Sequence, residues 1–307
     1  MEEQNNKLIV ILGPTSSGKT RLAVKLAREF DGEIISADSR QVYRGMDVGT
    51  GKDLAEYGEV KHHLIDVVEP TDLFSLAQYK KLAEAAIDDV IKRGKIPFLV
   101  GGSGLYLQAV VDNYDMAEVG VDDGLRQELE HSDILDLYDK LKAANPAFAA
   151  KVNESDRKNK RRLIRYIELN SSASKSEGPT VKPPKYDCLV LGLNPGKEII
   201  DKKIRQRLLD RLENEDLVAE VDRLHTQGVS WQRLHGFGLE YRFISEYLQE
   251  KCDHETMFDR LNIAIRQFAK KQMTWFNRWG KQGRKIFWLE KAENEEEAVG
   301  FIRRFLA

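Results

Sequence analysis

The chain has 307 residues, 41% apolar and 32% charged, with 48 basic and 50 acidic side chains and a formal net charge of -2. That size suits one large domain, or a core carrying a smaller insert, with enough apolar residues for a sizeable buried core. No apolar run has the length of a membrane span, residues 1–7 are polar with both charge signs, and Cys188 and Cys252 are far apart. On these features no membrane partner, secretory signal or thiol ligand cluster is expected. The expectation is a cytoplasmic monomer with two structural thiols.

In chain order, residues 8–12 (LIVIL) read as a short strand ending at Gly13, and residues 18–30 as a helix. A second strand at 33–37 runs into Asp38, and the extended His62-His63 pair precedes 64–66 (LID). Residues 75–93 place Leu76, Tyr79, Leu82, Ala86 and Val90 near helical spacing, and residues 96–100 form a third strand before Gly101 and Gly102. Short strands alternating with helices predict crossover units and a parallel sheet.

The character changes after Val111. Residues 122–170 read as polar, charge-rich helix without a strand, and 171–179 (SSASKSEGP) as an exposed loop. The strand pattern returns at 187–193, followed by helices over 197–225, 238–249 and 256–279, a last strand at 286–289 and a short helix ending at Phe305. The expected architecture is α/β: a parallel-sheet core over 1–111 plus 187–307, interrupted by an all-helical insert over 112–186.

The small net charge conceals segregated charge. Residues 260–285 contain Arg260, Arg266, Lys270, Lys271, Arg278, Lys281, Arg284 and Lys285 without one acid, and residues 157–165 are basic in the same way. In residues 266–276 (RQFAKKQMTWF), Arg266, Lys270 and Thr274 share one helical face and Phe268, Lys271 and Trp275 another. A solvated amphipathic helix is the ordinary explanation, but the acid-free run favours contact with an RNA backbone.

Gly13, Pro14, Thr15, Ser16, Ser17, Gly18, Lys19 and Thr20 fit the spacing G-x4-G-K-[ST], with a strand before and a helix after. Glycines let the backbone curl so that several N–H groups face inward, and the helix adds its positive end. Lys19 supplies a charge for the terminal phosphate, and the Thr20 hydroxyl is a Mg2+ ligand. The loop identifies a diphosphate or triphosphate site without naming the reaction. Asp38, at the end of the second strand, fits three roles: an acid holding Mg2+ for phosphoryl transfer, a base taking a proton from an attacking amine, or a turn cap. Residues 101–106 (GGSGLY) resemble a second anion-facing loop. The two adjacent histidines point to opposite faces of an extended segment and read as structural.

Together these motifs resemble the bacterial tRNA dimethylallyltransferases, also called tRNA isopentenyltransferases. The likeness is carried by residues 13–20, 36–50 (SADSRQVYRGMDVGT), 62–66, 101–106 and 266–275, and so extends over nearly the whole chain. It implies a P-loop-kinase-like core with a helical insert that closes over tRNA. It also implies transfer of a dimethylallyl group from dimethylallyl diphosphate to the exocyclic amine of adenosine 37, beside the tRNA anticodon. Mapped here, Thr15–Thr20 hold the diphosphate with Mg2+ at Thr20, Asp38 is the general base, and Arg207 faces the diphosphate. The anticodon stem-loop would meet Asp38, Ser39, Arg40, Gln41, Ser103, Arg126, Arg161, Arg162, Leu163, Ile164, Arg165, Arg266 and Lys270.

The chain departs from the family pattern in three places. Where the family reads H-P-N-D and then R-x-x-R-A-L-E, residues 152–159 (VNESDRKN) carry extra positions before 162–168 (RLIRYIE). The usual threonine after the two glycines is Ser103, and the usual G-Y-K-E is 238–241 (GLEY). Three alternatives compete: an isopentenyltransferase acting on free adenine nucleotides, a small-molecule P-loop kinase, and a non-catalytic RNA-binding module. The basic helix and the insert argue against the first, and the phosphate loop with Asp38 argues against the last.

Overall fold

The computed structural model describes residues 6–116, 123–171, 180–290 and 294–307. By Cα packing the chain divides into Met1–Val111 with Pro184–Ala307, and Asp112–Pro183.

The first unit opens with strand β1 (Lys7–Leu12), helix α1 (Lys19–Glu29), β2 (Gly32–Ser36), β3 (His62–His63), α2 (Leu76–Lys92), β4 (Ile96–Gly101) and α3 (Gly104–Val111). The second unit contains β5 (Tyr114–Asp115), α4 (Asp123–Glu130), α5 (Ile134–Ala144), α6 (Pro146–Lys151), α7 (Glu154–Arg157), α8 (Lys160–Ser171) and β6 (Thr180–Val181). The first unit resumes with β7 (Asp187–Leu193), α9 (Lys197–Glu213), α10 (Leu217–Thr226), α11 (Trp231–Phe237), α12 (Leu239–Leu248), α13 (His254–Lys281), β8 (Phe287–Leu289) and α14 (Glu295–Leu306).

The sheet is 6-stranded in the order β3-β2-β4-β1-β7-β8, and every pairing is parallel. Its centre explains the unbroken apolar run of β1, because Leu8, Ile9, Val10, Ile11 and Leu12 are all 0% exposed. The period of two sends Leu8, Val10 and Leu12 to one face, against Tyr79, Ala83 and Ile87 of α2 and Phe276 and Trp279 of α13. Ile9 and Ile11 go to the other face, against Leu22, Ala23 and Leu26 of α1 and Ala298 and Ile302 of α14. Truncating Ile11 to alanine in this packing would cost about 2–5 kcal/mol. A further cluster joins Val42, Tyr43 and Met46 to the apolar sides of α9 through α13. It fastens the segment after β2 to the C-terminal helices.

The sheet carries phosphate-loop chemistry at the C-terminal ends of its strands, where Gly13 follows β1 and Asp38 follows β2. Helix α2 begins with a complete capping box: Ser75 accepts from the Gln78 N–H, and Gln78 accepts from the Ser75 N–H.

Three sequence expectations need correction. The helix expected over 197–225 is broken: α9 is capped by Asn214, and Asp216 adopts φ 53 before α10. Asparagine and aspartate accept that left-handed turn more readily than other residues. Helix α11 was not expected; Ser230 caps it by accepting the Arg233 N–H, and Gly238 at φ 72 ends it. The insert is not all-helical, because Tyr114 and Asp115 pair antiparallel with Val181 and Thr180. Its core is helical, built from Leu129, Leu137, Leu141, Ala149, Leu163, Ile164 and Ile167. Of the loop expected over 171–179, all but Ser171 lies outside the described residues.

Candidate active site

Gly13 leaves β1 so tightly that a Cβ there would lie 2.8 Å from Ser17 Oγ and 3.0 Å from the Leu193 carbonyl. Ser16 at φ 60 and Gly18 at φ 90 curl the loop before α1 begins at Lys19. No side chain caps that helix, so its first N–H groups remain available to an anion. Thr15, Ser16, Gly18, Lys19 and Thr20 line a cavity of about 660 Å3, whereas Gly13, Pro14 and Ser17 shape the turn behind it. Burial pushes the Lys19 ammonium down to about 8, with the Asp38 carboxylate opposing the shift and the Arg207 guanidinium adding to it.

Asp38 lies in the same cavity. Its Oδ1 accepts the Arg40 N–H at 2.9 Å, so the turn-cap role is real. That turn uses one oxygen and leaves Oδ2 without a hydrogen bond among the described residues, so capping and proton transfer are compatible. The backbone around Asp38 is pinned from both sides. Ala37 donates to Val100 O at 2.7 Å and accepts from the Ser103 N–H at 3.1 Å. Ser103 Oγ accepts the Ser39 N–H at 3.0 Å. A Cβ on Gly101 would strike the Ala37 carbonyl, so close passage of the two chain segments requires glycine there.

Ser39, Arg40, Gln41 and Ser103 also line the cavity. Gln41 Nε2 donates to Gly51 O at 2.9 Å, coupling the end of β2 to the 47–53 segment. That segment is fixed by the 2% exposed Glu220, whose carboxylate accepts the N–H groups of Asp47 (2.8 Å), Val48 (2.7 Å) and Gly49 (3.0 Å) and the Tyr241 hydroxyl (2.7 Å). Lys52, 1% exposed, reinforces it through Tyr43 O and the carboxylates of Asp47 and Asp66. Sequence reasoning missed Glu220 and Lys52, because their partners lie in other elements.

Helix α9 supplies Lys203, Gln206, Arg207, Asp210 and Arg211 to the cavity, with Arg207 paired to Asp53. Helix α13 divides the way its periodicity suggests. Arg266 and Lys270 are exposed and do not line the cavity, while Phe268, Lys271, Gln272 and Trp275 do. Gln272 and Trp275 act as fasteners: Trp275 Nε1 donates to Gln108 Oε1 at 3.1 Å, and Gln272 Nε2 donates to Gly102 O at 3.0 Å. Phe268 carries the Arg40 guanidinium 5.8 Å from its ring centre.

In the insert, Arg126 and Arg165 flank the buried Glu168, and Arg162 pairs with Asp156. Arg161 is exposed. Leu163 and Ile164 are 0% and 5% exposed, so their side chains belong to the insert core and not to an RNA-facing surface. Their place on the inner face of α8 follows from their apolar character. His63 Nε2 lies 2.7 Å from Glu33 Oε2, and the His62 ring lies 4.6 Å from that of Tyr57, in keeping with structural histidines.

A phosphate loop, a carboxylate at the end of the second strand and a cationic helix thus meet in one cavity. Residues 41–279 match the profile of the IPP transferase family, and residues 6–65 match that of isopentenyl transferase. The chain belongs to the IPP transferase family. It is 43% identical to tRNA dimethylallyltransferase 1 of Geotalea daltonii, over 96% of this chain and 94% of that protein. Identity to tRNA dimethylallyltransferase 2 of Shewanella sediminis is 45%, over 94% of each. Among solved structures, the tRNA isopentenylpyrophosphate transferase of Bacillus halodurans superposes with a TM-score of 0.71 at 33% identity, covering 98% of this chain and 97% of that one. A eukaryotic dimethylallyltransferase acting on tRNA gives 0.73 at 26% identity, covering 88% of this chain and 69% of that one. The parallel sheet with its phosphate loop is accordingly the core of this IPP transferase family member.

Proposed function

We propose that this chain transfers a dimethylallyl group from dimethylallyl diphosphate to the exocyclic amine of adenosine 37 in the tRNA anticodon stem-loop, giving N6-isopentenyladenosine. The observation that carries this reading is the shared cavity, which Lys19, Thr20 and Asp38 all line. The family membership supports it. An allylic diphosphate departs readily once its negative charge is neutralised. The loop amides, Lys19 and Arg207 are the groups that would do so. The adenine amine is a weak nucleophile because its lone pair is delocalised into the ring. Asp38 orients it and accepts its proton as the carbon–nitrogen bond forms. The apolar cavity residues Leu105, Leu239, Ile265 and Phe268 suit a short isoprenoid chain.

Among the described residues, no cluster of three or more His, Cys, Asp or Glu side chains fit to hold a metal is present. Thr20, which lines the cavity, nevertheless carries a hydroxyl suited to Mg2+, an ion that keeps several waters and binds mainly through substrate phosphates. Thr20 would hold the ion, and its chemistry is charge neutralisation on the diphosphate.

For tRNA, the exposed cations Arg161, Arg266 and Lys270 are the phosphate contacts we assign, with Arg126, Arg162 and Arg165 available by exchange of their carboxylate partners. The target base leaves the anticodon-loop stack to react. We place this reaction on tRNA in the cytoplasm and assign it to a monomer. Among the described residues no helix is long and apolar enough to cross a membrane.

The test is incubation of the purified protein with dimethylallyl diphosphate, Mg2+ and unmodified tRNA, followed by nucleoside mass analysis. Prenylated adenosine is expected. Product with AMP and none with tRNA would transfer the assignment to a free-nucleotide enzyme. Transfer of labelled phosphate from ATP, without prenylation, would make it a kinase.

A further inference from the structure

Arg211 lies one turn beyond Arg207 on α9, lines the same cavity and is only 5% exposed. Its Nε and Nη2 are buried without a hydrogen-bond partner among the described residues. The acids that face it are Asp53, 3.8 Å from Nη2, and Glu240, 4.0 Å from Nη1, both beyond hydrogen-bond reach. A buried guanidinium with idle donors is costly unless something else comes to use them. Its position in the wall of a phosphate-loop cavity indicates that the missing acceptor is an anionic ligand.

The surroundings show what stands in for that ligand. Asp53 Oδ2 pairs with Arg207, while Oδ1 faces Arg211, so one carboxylate is shared by two guanidinium groups. Gly51, at φ +63, is where the two arginine ends converge, since a Cβ there would collide with Nη2 of both. Asp53 itself takes the left-handed conformation at φ 46, which aspartate adopts more readily than most residues. A single carboxylate is a poor match for this pair. It reaches Arg207 fully and Arg211 only at a distance. A diphosphate carries more charge and more acceptor oxygens.

We propose that Arg211 is a second arginine for the leaving diphosphate, and that Asp53 occupies the two arginines until the diphosphate displaces it. This rests on the reading of the cavity as a diphosphate site. Asp53 keeps the arginines aimed and partly neutralised in the free protein, and its return weakens the hold on the released diphosphate.

The experiment is calorimetric titration of inorganic pyrophosphate with Mg2+ into the intact wild-type chain and into the K19Q, R211Q, R211K and D53N variants, with a melting curve for each. Steady-state kinetics in dimethylallyl diphosphate and in tRNA are run alongside. R211Q should bind pyrophosphate about tenfold or more weakly, with R211K recovering part of the loss. Its KM for dimethylallyl diphosphate should rise while its KM for tRNA stays put. D53N should bind pyrophosphate several-fold more tightly. A folded R211Q with wild-type pyrophosphate affinity overturns the proposal, and so does a D53N that binds more weakly, as a metal ligand would. If R211Q does not fold, unchanged binding in both R211K and D53N overturns it. Failure of the wild type to bind pyrophosphate, or indifference of binding to K19Q, would instead remove the diphosphate reading beneath it.

Discussion

Gln272 Oε1 accepts the backbone N–H of Thr15 at 2.8 Å, tying helix α13 directly to the phosphate loop. Because its Nε2 also donates to Gly102 O, a single buried amide spans the two glycine-rich turns that border the cavity. Replacing it with leucine would strand the part-buried Thr15 N–H and the buried Gly102 carbonyl at once. A stability loss of about 1–3 kcal/mol is expected, together with a raised KM for dimethylallyl diphosphate. Chemical denaturation and initial-rate kinetics measure both. A Q272L variant with wild-type KM would show that the loop holds its shape unaided.

The dual use of Asp38 makes its substitution informative. Asp38→Ala removes the proton acceptor and the turn bond to Arg40, and kcat should fall about 100- to 10,000-fold. Binding of tRNA, which draws on dispersed phosphate contacts, should change little. Single-turnover rates set against filter-binding affinities separate the two effects. A loss of affinity as large as the loss of rate would argue that Asp38 holds RNA and does not act as a base.

Lys19 imposes a pH dependence whose sign is fixed. Burial sets its folded value at about 8, below the usual 10.5. The charged form that grips a diphosphate is therefore lost as pH rises through about 8, and affinity for pyrophosphate should weaken above that point. In the ligand-free protein the effect on stability is opposite. Between about 8 and 10.5 the unfolded chain binds more protons, so stability rises with pH across that window. Comparing K19R with wild type cancels the titration of the ligand itself. If the two show the same pH profile, Lys19 is not the group responsible.

The sheet strands were legible in the sequence because β1, β4 and β7 are short apolar runs buried on both faces and closed by glycine or a polar residue. The phosphate loop was legible because its spacing is itself the geometry. What escaped was whatever depends on partners distant in sequence. Glu220 reads as one more acid on a charged helix until its carboxylate is seen against the N–H groups of Asp47, Val48 and Gly49. Arg211 did leave a trace, being four residues after Arg207 on one helical face, but sequence does not reveal which face turns inward. The family likeness carried Leu163 and Ile164 into the RNA contact as part of the 161–165 stretch, although their apolar side chains fill the insert core.

That distinction between core and surface positions in α8 yields a final prediction. Arg161 is exposed, whereas Leu163 is fully buried among Leu129, Leu137 and Leu141. Arg161→Ala should leave the melting temperature unchanged, weaken tRNA binding similarly across tRNA sequences, and reduce the slope of log affinity against log salt by about one. Leu163→Ala opens a cavity in a small core and should destabilise the protein by about 2–5 kcal/mol. Its effect on tRNA should track that destabilisation and leave the salt slope intact. An Arg161→Ala variant with an unaltered salt slope would remove this residue from the RNA contact, because a phosphate contact cannot be lost without changing the number of counterions released.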